Sequence, residues 1–158
     1  MSDVTINVSL DEANDRVKAE VRRTIAALTL KLERMIKQDM LTGQRLNVQT
    51  GRLRGSVTSQ VNEDQDSIEG VVGAGGALVR YAFIHEFGLS AVVSVKAHLR
   101  EIKQAFGKPI TPKQIMVGAF TRKVNARERR YMRDSLDEVG KIVPENIQAA
   151  IARGLAEE

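Results

Sequence analysis

The chain has 158 residues and contains no cysteine, no tryptophan, four phenylalanines and two tyrosines. That length predicts one domain with a core built mainly from aliphatic side chains. The missing cysteine excludes disulfides, thiolate zinc sites, iron–sulfur clusters and a cysteine nucleophile. The N-terminus leads into no apolar run, and no stretch approaches the ~18–20 apolar residues of a membrane span. We therefore expect a soluble protein, made in the cytoplasm, with no membrane partner.

The net charge of +4 is unevenly distributed along the chain. Residues 70–130 hold eleven bases and three acids, whereas residues 63–69 hold four acids and no base. Residues 131–158 are acidic, with six acids and three bases. The basic middle predicts attraction to nucleic acid, to an acidic protein or to the acidic part of a neighbouring copy. Solvated charged faces are the alternative interpretation.

The N-terminal quarter predicts a strand followed by a long helix. Apolar residues alternate over residues 4–8, as in a half-buried strand. Ser9 and Glu12 then have the spacing of a capping box. Behind them, apolar residues recur at steps of three and four, which predicts an amphipathic helix over residues 10–40 with Gly43 following its end.

A first β-hairpin is predicted after this helix. Residues 43–56 are expected to form a loop with one helical turn capped by Thr50. Residues 57–61 and 67–73 alternate as two strands around an acidic turn. The segment Gly73–Gly76 predicts a flexible connection.

The densest aromatic cluster of the chain lies in residues 81–88. Tyr81 and Ile84 would share one helical face with His85 or Gly88. We therefore predict a short helix that ends at Gly88.

A second, basic hairpin is predicted over residues 92–124. Residues 93–100 and 114–124 alternate as strands, and residues 104–113 contain Gly107, Pro109 and Pro112 and are expected to be a loop. The predicted hairpin holds seven bases and one acid. One of its faces would carry Lys96, His98, Arg100 and Arg122 in rows.

Two helices are predicted at the C-terminal end. The first spans residues 126–139 and is broken by Gly140, and the second spans about 144–156 with Pro144 in its first turn. The residues expected to point inward are Tyr131, Leu136, Val139, Ile147, Ile151 and Leu155.

The patterns of known catalytic sites are missing from the sequence. His85 and His98 stand thirteen residues apart on different predicted elements, which does not match the spacing of metal ligands. The chain contains no Gly-x-Ser-x-Gly, and the glycines at 73–76 are not followed by Lys-Ser or Lys-Thr. The sequence therefore predicts no enzyme, no metal site and no cofactor.

Three segments together resemble a protein family. They are Thr50-Gly51-Arg52-Leu53-Arg54-Gly55-Ser56-Val57, Tyr81-Ala82-Phe83-Ile84-His85-Glu86-Phe87-Gly88, and Ala126-Arg127-Glu128-Arg129-Arg130-Tyr131-Met132. In this order and spacing, the chain resembles the tail-completion (virion morphogenesis) proteins of tailed bacteriophages over roughly residues 10–156. In the third segment the family commonly continues with Pro and an aromatic residue, and here Tyr131 would supply the aromatic.

The resemblance implies an α+β fold in a single domain covering residues 1–158. An antiparallel sheet would be flanked by the long N-terminal helix and the C-terminal helices, and the basic β-hairpin 92–124 would project. It further implies a structural protein of the virion neck, assembled as a hexameric ring. Its partners would be the tail tube or tail terminator protein, the head connector or adaptor protein, and genomic DNA passing through the lumen.

We assign the candidate contact residues on these grounds. Glu86 is expected to pair with an arginine such as Arg52 or Arg54, and a solvated helix end is the alternative. Phe83, Ile84 and neighbouring aromatic residues have core packing as their alternative role. The expected subunit or partner interface consists of Arg52, Arg54, Tyr81, His85, Glu86, Phe87, Lys96, Arg100, Arg122, Lys123 and Arg127. The expected contacts with DNA in the lumen are Lys103, Lys108 and Lys113.

The alternative function is a nucleic-acid-binding module that uses hairpin 92–124. It would bind duplex DNA with an affinity that falls steeply with salt. Against it, the basic strands lack interleaved aromatic residues for stacking on single strands.

Overall fold

The protein has an α+β fold, as the sequence predicts. A computed structural model describes residues 2–9, 15–64 and 67–156 and divides the chain into two units. Unit 1 comprises residues 1–88 and 127–158, and unit 2 comprises residues 89–126.

Unit 1 combines a three-stranded antiparallel sheet with helices. Its sheet has the order β1-β3-β2, so that β3 is hydrogen-bonded on both sides. The elements of unit 1 are β1 (Ser2–Ser9), α1 (Asp15–Gln38), a 3₁₀ turn (Met40–Thr42), α2 (Arg52–Gly55), β2 (Thr58–Glu63), β3 (Ser67–Ala74), α3 (Tyr81–Phe87), α4 (Tyr131–Gly140) and α5 (Val143–Ala156).

The long helix α1 packs along β3 and divides the core of unit 1 into two clusters. Its C-terminal half buries Leu32 and Ile36 in a cluster with Tyr131 of α4. Its N-terminal half buries Val21 against Ile68 of β3 in the other cluster. Burial of such side chains contributes roughly 1.5–3 kcal/mol each, so the stripe predicted from the spacing is what fixes α1 on the sheet.

A glycine permits the close approach of α1 to β3. A Cβ atom built on Gly70 would lie 2.0 Å from the hydroxyl oxygen of Thr29. That hydroxyl donates to the carbonyl of Ile25, four residues earlier in α1, over 2.7 Å. Any side chain at position 70 would therefore push the helix away from the sheet.

Several boundaries in unit 1 differ from those predicted. Glu12 of the predicted capping box lies outside the described residues, and Gly73 belongs to β3 and not to a flexible connection. Helix α2 is preceded by Gly51, with φ of +71°, so Thr50 is not its cap. Helix α4 begins at residue 131 and not at 126, because Arg130 has φ of +51°, a left-handed conformation that cannot continue into the helix.

Two helices present faces that were not predicted. The buried residues of α3 are Ala82 and Glu86, not Tyr81 and Ile84. In α5 the predicted Leu155 is 58% exposed. The smaller Ala150 and Gly154 are buried instead, because α5 lies so close to α1 that a Cβ atom on Gly154 would be 2.7 Å from the Cα atom of Val17.

Unit 2 consists of four antiparallel strands in two pairs. The strands are β4 (Leu89–Val95), β5 (His98–Ala105), β6 (Lys108–Val117) and β7 (Phe120–Ala126). Strand β4 pairs with β7, and β5 pairs with β6. The predicted hairpin therefore exists, but each of its two predicted strands is divided in two.

The predicted loop over residues 104–113 is mostly strand. The turn between β5 and β6 contains just Phe106 and Gly107, whose φ angles of +52° and +77° match a type I′ hairpin turn. Pro109 and Pro112 lie within β6. Pro109 is tolerated because a strand in a two-stranded sheet has one unpaired edge, where a missing N–H costs no hydrogen bond. Pro112 lies in the register shift between the Gln104–Pro109 and Ile102–Lys113 pairs, where the regular pairing is interrupted.

The predicted single basic face of the hairpin is wrong. Lys96 lies in the break between β4 and β5, whereas His98 and Arg100 belong to the β5–β6 pair. Arg122 stands opposite Val93 in the β4–β7 pair, on the face predicted to be apolar. The breaks at residues 96–97 and 118–119 interrupt the alternation on which the prediction depended.

Candidate interaction site

Glu86 is the structural centre of the second family-like segment. Its side chain is 1% exposed. The carboxylate accepts hydrogen bonds from the backbone N–H groups of Met132, at 2.9 Å, and Arg133, at 3.1 Å. These are first-turn donors of α4, which Arg130, the residue preceding that helix, does not cap. A side chain from α3 therefore caps α4.

Arg133 completes this junction. Its Nε atom donates to the Glu86 carboxylate over 2.9 Å, and one terminal nitrogen donates to the Glu86 carbonyl over 2.8 Å and to Glu128 over 3.1 Å. The hydrogen bond to Glu86 raises the pKa of the Arg133 guanidinium, and burial opposes that shift. The guanidinium also lies 4.8 Å from the ring centre of Phe87.

Glu86 does pair with an arginine, as predicted, but neither Arg52 nor Arg54 is that partner. Its partner is Arg133, 47 residues further along the chain. No spacing rule connects residues so distant in sequence, and Glu86 is a structural residue, not part of an exposed interface.

Tyr131 joins the same two helices on the buried side. The residue is fully buried, and its hydroxyl lies 3.4 Å from the Ala82 carbonyl oxygen, which accepts its hydrogen bond. The aromatic that the resemblance assigns to this position thus belongs to the core.

An open cleft of about 670 Å³ lies on unit 1 beside this junction. It brings together four of the predicted interface residues from two of the family-like segments, and adds Arg45 and Arg129, which sequence reasoning missed. Its lining residues are Leu41, Arg45, Leu46, Asn47, Val48, Gln49, Thr50, Gly51, Arg52, Leu53, Arg54, Tyr81, His85 and Arg129.

The cleft is positively charged. Of the residues that the structure describes, four arginines and no carboxylate line it. Arg45 forms an ion pair with Asp134. Arg52, Arg54 and Arg129 form no ion pair within the described part of the chain. Unpaired guanidiniums of this kind bind carboxylates or phosphates through two parallel hydrogen bonds.

The pKa of His85 is affected by the same positive charge. Its ring stands edge-on to that of Tyr81, with centroids 5.7 Å apart, and its carbonyl accepts the backbone N–H of Arg129 over 2.7 Å. Burial and the positive charge of Arg129 hold the pKa of His85 below its ordinary value. The cleft therefore disfavours a further positive charge.

Unit 2, which the structure describes throughout, has no buried residue. Its net charge is +6, from seven bases and one acid, and Lys103 pairs with that acid, Glu101, at 3.2 Å. Among the predicted contacts, Lys96, Arg100, Arg122, Lys123, Lys108 and Lys113 are exposed in this unit. Apolar side chains at least 40% exposed lie beside them: Val92, Val93, Leu99, Phe106, Met116 and Phe120.

The other predicted contacts lie in unit 1. Arg127 is exposed directly after β7, and Phe87 is 46% exposed beneath Arg133.

His85 and His98 belong to no metal-binding cluster, since no group of three His, Asp or Glu side chains within the described ranges is placed to hold a metal ion.

Comparison with known proteins gave no relatives: no family model, curated protein or solved structure matches the chain. None of the helices in the described ranges is both long and apolar enough to cross a membrane. The cleft and unit 2 are therefore the features of the molecule that bear on its function.

Proposed function

We propose that the chain is a structural protein of the neck of a tailed bacteriophage particle, where copies of it form a ring that completes the tail and joins it to the head. The observation that carries this proposal is unit 2, an exposed and basic antiparallel segment without a core. Its partners in this role are the tail tube or tail terminator protein, the head connector and neighbouring copies of the chain.

The lack of burial in unit 2 favours an assembly role. Two-stranded sheets are marginally stable in water unless a hydrophobic face packs against another surface. Val92, Leu99 and Met116 are 64%, 61% and 68% exposed in the isolated chain. A partner that covered these side chains would stabilise unit 2, and assembly supplies such a partner.

The family-like segments support the same proposal from unit 1. Although they are far apart in sequence, the second and third segments meet where Glu86 accepts the backbone N–H of Met132, and residues of all three segments line the cleft. Such residues would build one rigid body with one open charged surface. A rigid body with an open charged surface suits a subunit that binds neighbours and carries out no chemistry.

The charge of unit 2 suits a contact with acidic surfaces. Its bases would face acidic patches of neighbouring subunits or, in a lumen, the phosphates of passing DNA. We favour subunit contact, because a strongly basic lumen would retain DNA during ejection.

A head–tail joining assay tests the proposal. Heads and tails from particles that lack the chain are mixed with purified protein, and joined particles are counted. The wild type is expected to restore joining. The triple variant Lys96→Ala, Arg100→Ala, Arg122→Ala is expected to lower it by roughly tenfold or more, because it removes half of the net charge of the contact.

A matched control removes three exposed charges from unit 1 and leaves unit 2 intact. Its changes are Lys31→Ala, Arg34→Ala and Lys141→Ala, and its joining should equal that of the wild type. A wild-type protein that joins nothing would contradict the proposal. If the unit 2 variant joined heads to tails as well as the wild type does, the substituted charges of unit 2 would not contribute to the contact.

Nucleic-acid binding is the competing outcome. If the chain bound duplex DNA with sub-micromolar affinity at physiological salt, and joined no particles, a nucleic-acid-binding module would replace the neck protein.

A further inference from the structure

The β2–β3 turn of unit 1 carries an acidic cluster. Residues 63–66 contain Glu63, Asp64 and Asp66. Glu63 is paired with Arg22 of α1 at 3.0 Å, but its side chain remains 44% exposed. Asp64 is exposed, and its backbone N–H closes the turn by donating to the carbonyl of Ser67 over 2.9 Å. The end of β2 therefore presents the carboxylates of Glu63 and Asp64 to its surroundings.

This turn and the arginine cleft lie at opposite ends of unit 1. Strand β2 runs antiparallel to α1, since Ser59 at its start donates to Glu33 whereas Glu63 at its end pairs with Arg22. The cleft lies beyond the other end of α1, where Leu41 and Arg45 line it. Arg22 and Gln38, the last residue of α1, are sixteen residues apart, or ~24 Å along the helix.

One copy therefore cannot place its own β2–β3 turn in its own cleft. The turn is tied to the N-terminal half of α1, and the cleft is tied to the segment that follows the C-terminal end of α1. We infer that the arginine cleft binds the acidic β2–β3 turn of a second copy of this chain, head to tail.

The chemistry of the two surfaces is complementary. Arg52, Arg54 and Arg129 lack carboxylate partners within the described residues, and the turn offers carboxylates on adjacent positions. A carboxylate accepts two parallel hydrogen bonds from one guanidinium, which fixes orientation as well as charge. The volume of the cleft, about 670 Å³, falls within the range of about 300–1,000 Å³ that is usual for ligand pockets.

The walls of the cleft favour a protein segment over nucleic acid. Leu41, Leu46 and Val48 line it together with the arginines. Apolar walls can pack against the stem of a hairpin but gain nothing from a phosphate backbone. To bind a DNA duplex, a protein also needs basic side chains spread along the length of the duplex, whereas these arginines converge on one concavity.

The contact has a consequence for assembly. A heterologous contact between opposite ends of a subunit leaves one cleft and one turn free at every step, so it produces rings when the rotation closes and filaments when it does not. The inference deepens the proposed function and rests on it for the ring, but self-association can be measured without any phage particle.

Two variants and their mixture test the contact by light scattering. One variant carries Arg52→Glu and Arg54→Glu, and the other carries Asp64→Arg. Each alone is expected to be monomeric, with self-association weakened by roughly tenfold or more relative to wild type. The equimolar mixture is expected to associate again, because the intact turn of the first variant meets the intact cleft of the second and the two charge-reversed surfaces are complementary to each other.

A control reverses two exposed charges on α1, Lys31→Glu and Arg34→Glu, and should assemble as the wild type does. Thermal melting of each variant verifies that it is folded. The inference is overturned by a wild type that stays monomeric at its highest soluble concentration, by a cleft variant that assembles normally, or by a mixture that stays monomeric.

Two further results separate this contact from its alternatives. The first is that the cleft variant self-associates and joins heads to tails, whereas the unit 2 triple variant fails to join them. This result would overturn the inference and leave the proposed function standing. A cleft variant that loses DNA binding but keeps normal self-association would also overturn it, by assigning the cleft to phosphates.

Discussion

At the scale of single residues, Glu86 determines how α3 meets α4. Its buried carboxylate satisfies backbone donors of α4 and the side chain of Arg133 at once. A buried charge is tolerated when it is paired and fully hydrogen-bonded, and it becomes costly when either condition is removed.

Glu86→Gln is expected to lower the free energy of unfolding by about 2–3 kcal/mol, because the amide turns an NH₂ group toward donors and leaves Arg133 without its main partner. Denaturation in urea measures the change. The control Glu128→Gln removes the exposed partner of Arg133 and should cost less than about 0.5 kcal/mol. Equal costs for the two variants would contradict the capping role of Glu86.

His85 gives a prediction for pH. Its pKa is lower in the folded protein than the ordinary value of 6.5, because burial and Arg129 disfavour the imidazolium. The unfolded chain therefore binds the proton more readily. The stabilisation from neutral His85 is complete above the unfolded pKa and is lost as pH falls through the folded pKa.

The variant His85→Gln should consequently show a smaller loss of stability than the wild type when pH is lowered from about 7.5 to about 5.5. Urea unfolding at several pH values measures both curves. Identical pH dependence in the two proteins would show that His85 titrates alike in the folded and unfolded states.

At the scale of elements, the sequence correctly predicts the structural features that a regular spacing of apolar residues encodes. The apolar stripe of α1 and the alternation of β3 are correct, because burial on one face imposes a period on the sequence. The predicted loop around Pro109 and Pro112 is wrong, because a two-stranded sheet tolerates proline on its unpaired edge and where its register shifts. The start of α4 is wrong because it depends on the left-handed backbone of Arg130, which no composition rule signals.

Gly154 tests the packing of α5 on α1. Gly154→Ala is expected to destabilise the fold by about 1–2 kcal/mol, because the new methyl group would meet the backbone of Val17 and outweigh the gain in helix propensity. Gly140→Ala in α4 is the control. Within the described residues, its added methyl group would meet no tertiary neighbour within 4 Å, so the variant should be neutral or stabilising by up to about 1 kcal/mol. Thermal melting compares them, and a neutral Gly154→Ala would contradict the close approach.

At the scale of the whole molecule, the candidate site is partly readable from sequence. Arg52, Arg54, Tyr81 and His85 belong to the family-like segments and do meet in one cleft. Arg45 completes that cleft from outside the family-like segments and Arg129 from within the third, but no spacing rule places either residue there, since their proximity arises from tertiary folding. The breaks in unit 2 were unpredictable for a similar reason, because the alternation of its residues continues through them.

The proposed function requires copies of this chain to form a ring between tail and head. Negative-stain imaging of tails from particles that lack the chain, after incubation with the purified wild-type protein, tests it most directly. We predict an added ring of density at the head-proximal end of each tail, with a central hole. Bare tail ends at saturating protein would contradict the account.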